Sequence, residues 1–315
     1  MTTGARCRVC GSAAVAPLQL EEMMFGSREP FEYLQCATCG SLSIAAVPAD
    51  LSRHYPATYY SFTIEYRPRH GHLARRLAVF ALLNIPRVFS ARLPSHMALW
   101  RAMRTASVGY STRVLDVGCG NGALLRTLRR AGFRDLNGVD PFVKDSVAEP
   151  NLTITKGELK DLDGAYAFVL MCDSLEHMPD PGAALREVAR LCAPGGHILI
   201  SIPVVNRSWA ELGPDWVELD PPRHLFIPSV AGLSGLIGSV PSLELKETMF
   251  DTTALEIYDG ALTRKRVPLC DPVTGADADP NLYFSREQLD AWSKKAREYV
   301  SREESGRAHF LVQRV

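Results

Sequence analysis

The stretch that decides the fold is VLDVGCGNG, residues 114–122. An apolar run passes directly into a glycine-rich turn, which predicts a buried strand, a tight loop and then a helix. Gly118 and Gly120 let the backbone turn sharply and approach a ligand closely, because no Cβ intervenes. About twenty residues further on, the next predicted strand ends in Asp140, where a carboxylate can accept both hydroxyls of a ribose. The stretch therefore predicts a nucleotide-binding loop at the edge of an α/β sheet.

The residues after this stretch alternate short apolar runs with helical segments, a pattern typical of an open, mainly parallel α/β sheet. The sequence predicts a doubly wound, Rossmann-like fold of seven strands, near 113–117, 136–140, 152–155, 166–171, 197–202, 243–249 and 308–314. Helices are predicted near 121–131 and 181–192. The second of these opens with Pro181 at a first-turn position, where the missing N–H costs no hydrogen bond.

The glycine loop by itself leaves the ligand open. Gly118, Gly120 and Ala123 also satisfy the dinucleotide pattern G-x-G-x-x-G/A, so a nicotinamide-dependent enzyme fits these residues. A tight turn without any ligand is the third interpretation. The order of three glycines and a ribose-type acid favours a ligand over an empty turn.

Five segments together resemble the class I S-adenosylmethionine-dependent methyltransferases. VLDVGCGNG is similar to motif I of that family, and the resemblance continues in register over roughly 110–315. The further segments are CDSLEHMPDP at 172–181, LCAPGGHILISIP at 191–203, DPPRHLFIPS at 220–229 and the C-terminal RAHFLVQRV. A dehydrogenase does not need these four, so they favour a methyltransferase. The last of them resembles a seventh strand that, in that fold, lies antiparallel beside strand five.

The resemblance also implies which residues hold S-adenosylmethionine. They follow the first four predicted strands: Asp116, Gly118, Cys119, Gly120, Asp140, Pro141, Glu158, Leu159, Cys172 and Asp173. By position, Asp116 is implied near the methionine part of the cofactor, Asp140 at the ribose and Pro141 beside the adenine. Glu158 is implied at the adenine edge, although a solvated loop acid is the alternative there.

Two histidines are candidates for the general base that an oxygen or carbon nucleophile usually requires. His224 is the first. It lies on a segment after predicted strand five, which the resemblance implies lies over the reaction centre, and an imidazole titrates near neutral pH. His177, in the loop after predicted strand four, is the second. Each has a structural alternative: His224 would hold its loop by hydrogen bonds, and His177 would only line the cofactor pocket.

Two matched cysteine pairs precede this domain. The motif C-x-x-C-G occurs twice, with its thiols at Cys7, Cys10, Cys36 and Cys39. Four thiolates form the closed tetrahedral site of a structural zinc ion. Ordinary buried thiols and a redox pair are the alternatives, but two copies with trailing glycines favour metal. A module this small buries little apolar area, so metal binding should supply folding free energy.

Zinc knuckles before a methyltransferase domain resemble the sugar C-methyltransferases that act on nucleotide-linked keto-deoxysugars. Those enzymes carry a further C-terminal domain, whereas this sequence stops after its predicted seventh strand, so we expect that domain to be lacking. The predicted activity is methyl transfer to a carbon or oxygen of a small molecule, and the resemblance implies a sugar-linked acceptor. The alternatives are an RNA methyltransferase, with the zinc module holding nucleic acid, and a cofactor-binding scaffold without turnover.

The charge of the chain says little about partners. Lysines and arginines number 35 and so do aspartates and glutamates, and a net charge of zero is atypical of nucleic-acid binders. No acidic residue lies between Glu65 and Asp116, whereas arginines recur there. This basic stretch, most of it in 67–104, predicts contact with an anionic membrane surface or substrate phosphates, with a solvated face as the alternative.

The sequence also suggests a domain division and a location. We expect a zinc-binding module at 1–48, a basic, partly helical linker or cap at 49–108 and the methyltransferase domain at 109–315. The N-terminus, MTTGARCRVC, lacks the apolar core of a signal peptide, and no apolar run is long enough for a membrane span. A cytoplasmic location is therefore expected, and the sequence predicts no oligomeric state.

Overall fold

The computed structural model describes residues 5–56, 59, 72–84, 97–251 and 254–315 of the chain. Its strands are β1 Val15–Glu21, β2 Pro30–Cys36, β3 Leu42–Ile44, β4 Arg113–Val117, β5 Asp135–Asp140, β6 Val147–Glu149, β7 Leu152–Lys156, β8 Tyr166–Cys172, β9 Cys192–Pro203, β10 Phe226–Ile227, β11 Leu243–Asp251 and β12 Arg307–Arg314. Its α-helices are α1 His72–Asn84, α2 Ala98–Thr105, α3 Ala123–Ala131, α4 Pro181–Leu191, α5 Arg207–Leu212, α6 Val230–Gly238, α7 Leu255–Arg264 and α8 Arg286–Ser301. Short 3-10 turns occur at Ser52–His54, Leu159–Asp161, Leu175–His177, Gly213–Asp215, Val217–Leu219 and Pro280–Leu282.

The main sheet is mixed and has eight strands in the order β11-β12-β9-β8-β4-β5-β7-β6. Strands β4, β5, β7, β8 and β9 run parallel, as the alternating pattern predicts. The prediction that the last strand lies antiparallel beside strand five is confirmed, since β12 pairs with β9 in that sense. The predicted number of seven strands is wrong by one. The additional strand, β6, has three residues at the sheet edge and is too short to show an alternating pattern.

Helices cover both faces of this sheet, so the fold is doubly wound. Buried side chains of α4 and α6 pack on one face, among them Leu185, Val188 and Ile237. On the other face, α2 and α3 contribute Met103 and Leu128 to a second core. Burying apolar residues on both faces explains why the parallel strands appear as continuous apolar runs in the sequence.

Local sequence sets the ends of the two predicted helices. Helix α3 begins after Gly122 and ends before Gly132, and both glycines adopt positive φ, at 77° and 116°. Helix α4 begins at Pro181, and the preceding Asp180 side chain accepts a hydrogen bond of 2.8 Å from the amide of Ala183. Such an N-cap satisfies an amide that has no partner within the helix.

The cysteine-rich N-terminus forms a second, smaller sheet. Strands β1, β2 and β3 are antiparallel, and β10, from far along the chain, is the fourth strand. Trp216, Leu219 and Leu225 share a buried core with residues of β1, β2 and β3. The division at 1–48, 49–108 and 109–315 stays a prediction. The smaller sheet combines strands from the first of these parts, β1 to β3, with a strand from the last, β10.

Between β11 and β12 lies a helical insertion that contains α7 and α8, which the predicted pattern of strands and helices does not include. It contacts the connection between β1 and β2 through Cys270, whose amide donates to the carbonyl of Met24 at 2.7 Å. Within the described ranges, every helix is too short or too polar to cross a membrane. The predicted basic surface at 67–104 lies partly outside those ranges, and within them Arg101 forms an ion pair with Glu247.

Candidate active site

The carboxyl ends of β4, β5 and β8 meet at one edge of the main sheet, and several predicted cofactor residues lie there. Asp116 is next to last in β4 and pairs with Gly138 of β5 and Leu170 of β8. The chain then turns at Gly118 with φ of 72°. A Cβ on Gly118 would lie only 2.6 Å from the Cβ of Ser174. The glycine is therefore needed both for its conformation and for the close approach of the loop after β8.

Asp140, the predicted ribose acid, ends β5 and is 8% exposed. One carboxylate oxygen accepts a hydrogen bond of 2.9 Å from the amide of Gly120, and the other accepts one of 2.7 Å from the amide of Phe142. These bonds fix the carboxylate against the glycine loop. Pro141 and Phe142 are exposed beside it, so their surfaces are accessible at this edge.

The edge carries less negative charge than its two aspartates suggest. Burial, together with the charge of Asp140, raises the pKa of Asp116 to about 7. Burial also raises the pKa of the Cys119 thiol, and it raises that of Cys172 to about 12. Both thiols are therefore protonated at neutral pH and are weak nucleophiles. A cation bound here would favour the ionised form of Asp116.

Glu158 and Leu159 follow β7 and have structural contacts of their own. The amide of Glu158 donates to the carboxylate of Asp161 at 2.9 Å, and the Glu158 carboxylate lies 2.7 Å from the Lys160 ammonium. Leu159 is half-buried against the core beneath α4. Glu158 thus has the contacts of a solvated loop acid, and the cofactor role of both residues stays a prediction.

Cys172 and Asp173 stand at the end of β8 as predicted, but Asp173 turns toward β12. It adopts a positive φ of 52°, and its amide donates to the carbonyl of Ser201 at 3.0 Å. Its carboxylate forms an ion pair with Arg307. Its neighbour Ser174 is buried, and the hydroxyl of Ser174 has no hydrogen-bond partner within the described residues. Next to the glycine loop, that hydroxyl is available to a polar ligand.

The fold brings the two candidate bases, His177 and His224, together from distant parts of the sequence. His177 contacts the residue before His224, Arg223, which is 46 positions further along the chain. The imidazole rings are 4.8 Å apart at an angle of 66°. Nδ1 of His177 lies 2.9 Å from the Arg223 carbonyl oxygen, and Nδ1 of His224 lies 2.7 Å from that of Glu218. Since a carbonyl can only accept, each Nδ1 carries the proton, which leaves a lone pair on each Nε2.

Burial keeps both imidazoles neutral. It lowers the pKa of His177 to about 3, with a further contribution from His224. Burial also lowers the pKa of His224, although the nearby Asp220 charge opposes that change. A neutral imidazole with a free Nε2 lone pair is the form that a general base needs.

Glu176 is a third member of this group and is not among the predicted site residues, although it lies within the CDSLEHMPDP segment. A ligand-type atom from each of Glu176, His177 and His224 lies within 4.8 Å of the others. Glu176 is fully buried, and neither of its carboxyl oxygens has a hydrogen-bond partner in another described residue. Burial raises its pKa to about 8. At neutral pH this side chain is therefore mainly a neutral acid.

We predict that the Glu176→Gln variant is more stable than the parent at pH 8 but not at pH 5. The native carboxyl keeps its proton up to about pH 8, whereas an ordinary glutamate loses it near 4.5. The parent therefore loses stability as pH rises through this window, and glutamine does not titrate. The gain at pH 8 should be about 1–3 kcal/mol, measured by urea unfolding at both pH values.

The matched control is Glu149→Gln. Arg126 and Arg129 hold the pKa of Glu149 below its ordinary value, so this variant should lose stability at pH 8. Equal stability differences for Glu176→Gln at pH 5 and pH 8 would contradict the assignment of a neutral buried acid.

The four predicted metal-binding cysteines converge in the N-terminal sheet. Sγ of Cys7 lies 3.6 Å from that of Cys39, and Sγ of Cys10 lies 3.6 Å from that of Cys36. All four sulfurs lie within 4.8 Å of one another. Each knuckle turns through a glycine with positive φ, Gly11 or Gly40. The contacts of 3.6 Å thus cross from one C-x-x-C pair to the other.

A glycine loop that faces a strand-end aspartate, on a sheet whose C-terminal strand is inserted antiparallel between two others, is the architecture of class I S-adenosylmethionine-dependent methyltransferases. The comparison with protein families agrees, since residues 70–237 match a model described as a methyltransferase domain. This range is more than half of the 315-residue chain. The chain therefore belongs to the methyltransferase-domain family, and the predicted enzyme class is confirmed.

Curated relatives match part of the chain. A ubiquinone biosynthesis O-methyltransferase of Alkalilimnicola ehrlichii is 36% identical over 108 residues, which cover 30% of this chain and 42% of that protein. Its counterpart in Pectobacterium atrosepticum is 30% identical over 131 residues, covering 36% and 53%. The chain thus spans about half the length of these relatives.

Among solved structures, an S-adenosylmethionine-dependent methyltransferase from Mesorhizobium loti is similar with a TM-score of 0.43 and 18% identity. The match covers 69% of this chain and 98% of that one.

Proposed function

We propose that this chain transfers a methyl group from S-adenosylmethionine to an oxygen of a small molecule, with His224 as the general base. One observation carries this proposal: the loop after β8 joins the glycine loop, through Ser174, to the His177–His224 pair. A methyl donor at the first and an acceptor at the second would be neighbours. Methyl transfer requires such a juxtaposition, because the nucleophile must lie in line with the methyl and its leaving sulfur.

The cofactor contacts are proposed as the family resemblance implies them. Asp140 would accept the ribose hydroxyls, with Pro141 beside the adenine and Glu158 and Leu159 at its edge. Asp116 would face the methionine part. The remaining proposed contacts are the backbone of Gly118, Cys119 and Gly120, and the β8 end at Cys172 and Asp173. Support comes from the fixed Asp140 carboxylate and from the buried Ser174 hydroxyl, which has no hydrogen-bond partner among the residues that the structure describes.

When bound, S-adenosylmethionine supplies an electrophilic methyl group on a sulfonium. The chain supplies proton transfer and orientation. Nε2 of His224 takes the proton from the acceptor hydroxyl while the Glu218 carbonyl holds Nδ1–H. Burial of the histidine pair keeps water from competing for the methyl group. His177 is the second candidate for the same role.

The acceptor class is proposed from the relatives. Their names describe O-methyltransferases of ubiquinone biosynthesis, which favours a small-molecule hydroxyl. The alternative is an acidic carbon of a nucleotide-linked sugar, which the cysteine cluster beside the methyltransferase domain supports. The test is a methyl-transfer screen with labelled cofactor against catechols, nucleotide-linked sugars and RNA. Label in RNA alone would overturn the proposal.

We propose further that the four cysteines hold one structural zinc ion. In a tetrahedron with Zn–S bonds of about 2.3 Å, sulfurs lie roughly 3.8 Å apart, and the sulfur contacts of 3.6 Å fit this edge. Contacts that cross between the knuckles favour a metal over two independent redox pairs. A closed set of four thiols leaves no open position for a substrate, so the role of this ion is structural.

Replacing Cys36 with serine should remove most of the zinc, because a tetrahedral thiolate site loses a quarter of its ligands and its closed shell. We expect a fall from about one zinc ion per chain to less than about 0.2, measured by elemental analysis of purified protein. Cys270→Ser changes a buried thiol outside the cluster and should leave the zinc content unchanged. Equal metal content in the two variants would reject the site.

A further inference from the structure

The segment that carries His224 is built into the N-terminal sheet. Strand β10, two residues after His224, pairs with β3, and its Phe226 lies opposite Ser43. The amide of Ile44 donates to the carbonyl of Leu225 at 2.9 Å. The segment that carries the proposed base, His224, is thus held by β3, a strand from the N-terminal part of the chain.

A buried ion pair reinforces this connection. Arg223 is 1% exposed, and its guanidinium donates to the Glu22 carboxylate at 2.7 Å and to the His54 carbonyl at 3.0 Å. Its Nε also donates to both carboxylate oxygens of Asp220, at 3.0 and 2.9 Å. Glu22 itself is 1% exposed. One guanidinium thus lies between two buried carboxylates, and replacing Arg223 would leave both of them without a counter-charge. Replacing Glu22 leaves the Arg223–Asp220 pair intact but removes one of the two links from the guanidinium to the N-terminal part of the chain.

A third contact reaches His224 itself. The hydroxyl of Tyr33, which is fully buried, donates to the backbone carbonyl of His224 at 2.7 Å. Tyr33 lies on β2, and β2 ends at Cys36, one of the four clustered thiols. The same strand therefore joins the proposed metal site to the proposed base.

The other end of the segment is tied to the cluster as well. The amide of Ser229 donates to the Ser41 hydroxyl at 2.9 Å, and the Ser229 hydroxyl donates to the carbonyl of Cys39. The N-terminal part of the chain therefore holds this segment at Arg223, from His224 to Ile227 and at Ser229. Methyl transfer does not itself require a thiolate cluster. These contacts suggest that the cluster acts by stabilising the segment that carries His224.

We propose that Glu22 and Tyr33 are positioning residues, which hold His224 through the 220–229 segment, and that a metal ion in the four-cysteine cluster maintains that hold. The proposal rests on the proposed function, in which His224 is the base. The second cysteine knuckle, Cys36 to Cys39, directly joins the end of β2 to the start of β3, so a metal bound there would fix the ends of both strands. Loss of the ion would loosen β2 and β3, and the segment would then lose the partners that fix the imidazole.

The test measures hydrogen exchange in the metal-loaded full chain and needs no acceptor. Tyr33→Phe, Glu22→Gln and the zinc-stripped parent should each exchange the amides of 220–229 faster, by roughly 10-fold or more. Peptides from β4 and β5 should change by less than about twofold. Tyr166→Phe removes the hydroxyl of another buried tyrosine, on β8, and is the matched control that should leave 220–229 protected.

A second measurement keeps the proposal testable if a variant unfolds more widely. Tyr33→Phe should lower kcat on the order of 10-fold, with KM for the cofactor unchanged. The loss should vanish in the His224→Gln background, since a positioning residue acts only through the group that it positions.

The outcomes separate the two proposals. Wild-type protection of 220–229 in both variants and in the zinc-stripped chain would overturn the coupling, and so would an equal kcat loss with and without His224. Faster exchange in a chain that transfers no methyl group would overturn the proposed function but leave the coupling of cluster and segment intact.

Discussion

Replacing Asp140 with alanine should nearly abolish binding of S-adenosylmethionine. The carboxylate is held in place by the amides of Gly120 and Phe142, and each ribose hydroxyl would donate a charge-assisted hydrogen bond to it. Two such bonds correspond to about 3 kcal/mol or more, a loss on the order of 100-fold in affinity. Isothermal titration calorimetry with the cofactor measures this loss directly.

Two further variants separate ribose recognition from folding. Asp135→Ala changes the same residue type at the other end of β5 and should bind the cofactor as the parent does. Asp140→Asn keeps an acceptor oxygen for one of the two loop amides but not for the other, so it should bind with an affinity between those of the parent and the alanine variant. Parental affinity in the alanine variant would remove the basis for a nucleotide site at this edge.

The parallel part of the fold could be predicted because its signals are local. The apolar run at 113–117 and the glycines after it predict β4 and its loop within a few residues, and Pro181 marks the first residue of α4. Fully buried strands need apolar side chains on both faces, which makes them visible as continuous runs. Strand β6 could not be predicted, because its three residues at the sheet edge bury little surface and form no apolar run.

The residues that contact the predicted site from distant parts of the chain could not be predicted from local signals. Tyr33 and His224 are 191 positions apart, and no local sequence pattern predicts the contact between them. The sequence predicts that the cysteines form a module, but it does not show that β10 completes the module's sheet. Pairing of distant strands depends on register and burial over the whole chain, which a single sequence records only weakly.

Glu176 illustrates the same limit for chemistry. A glutamate is usually exposed, so its position in the CDSLEHMPDP segment suggested no role. Its burial beside two imidazoles follows from the 3-10 turn Leu175–His177, which directs it inward. Glu158 shows the converse, since a position that the family resemblance implies at the adenine lies in the exposed cap of a short turn.

Replacing His224 with glutamine should lower the rate of methyl transfer by roughly 100- to 10,000-fold, the contribution typical of a general base. Glutamine fills a similar volume and retains an amide N–H for the Glu218 carbonyl, so the fold should survive. Cofactor affinity should stay within about twofold of the parent, because His224 bonds to the Glu218 carbonyl and packs against His177, and neither is a proposed cofactor contact. Single-turnover kinetics with labelled cofactor measures the chemical step separately from binding.

The pH dependence of that step identifies the base. Burial lowers the pKa of His224, so the parent should keep its activity below pH 6.5 and lose it only as the imidazole becomes protonated at lower pH. The glutamine variant should lose this acid limb along with most of its rate. The matched control is His309→Gln, since His309 is also buried but bonds to Ser201 on β9. A rate loss in His309→Gln equal to that in His224→Gln, or an unchanged acid limb in the latter, would assign the proton transfer to another group, with His177 next to be tested.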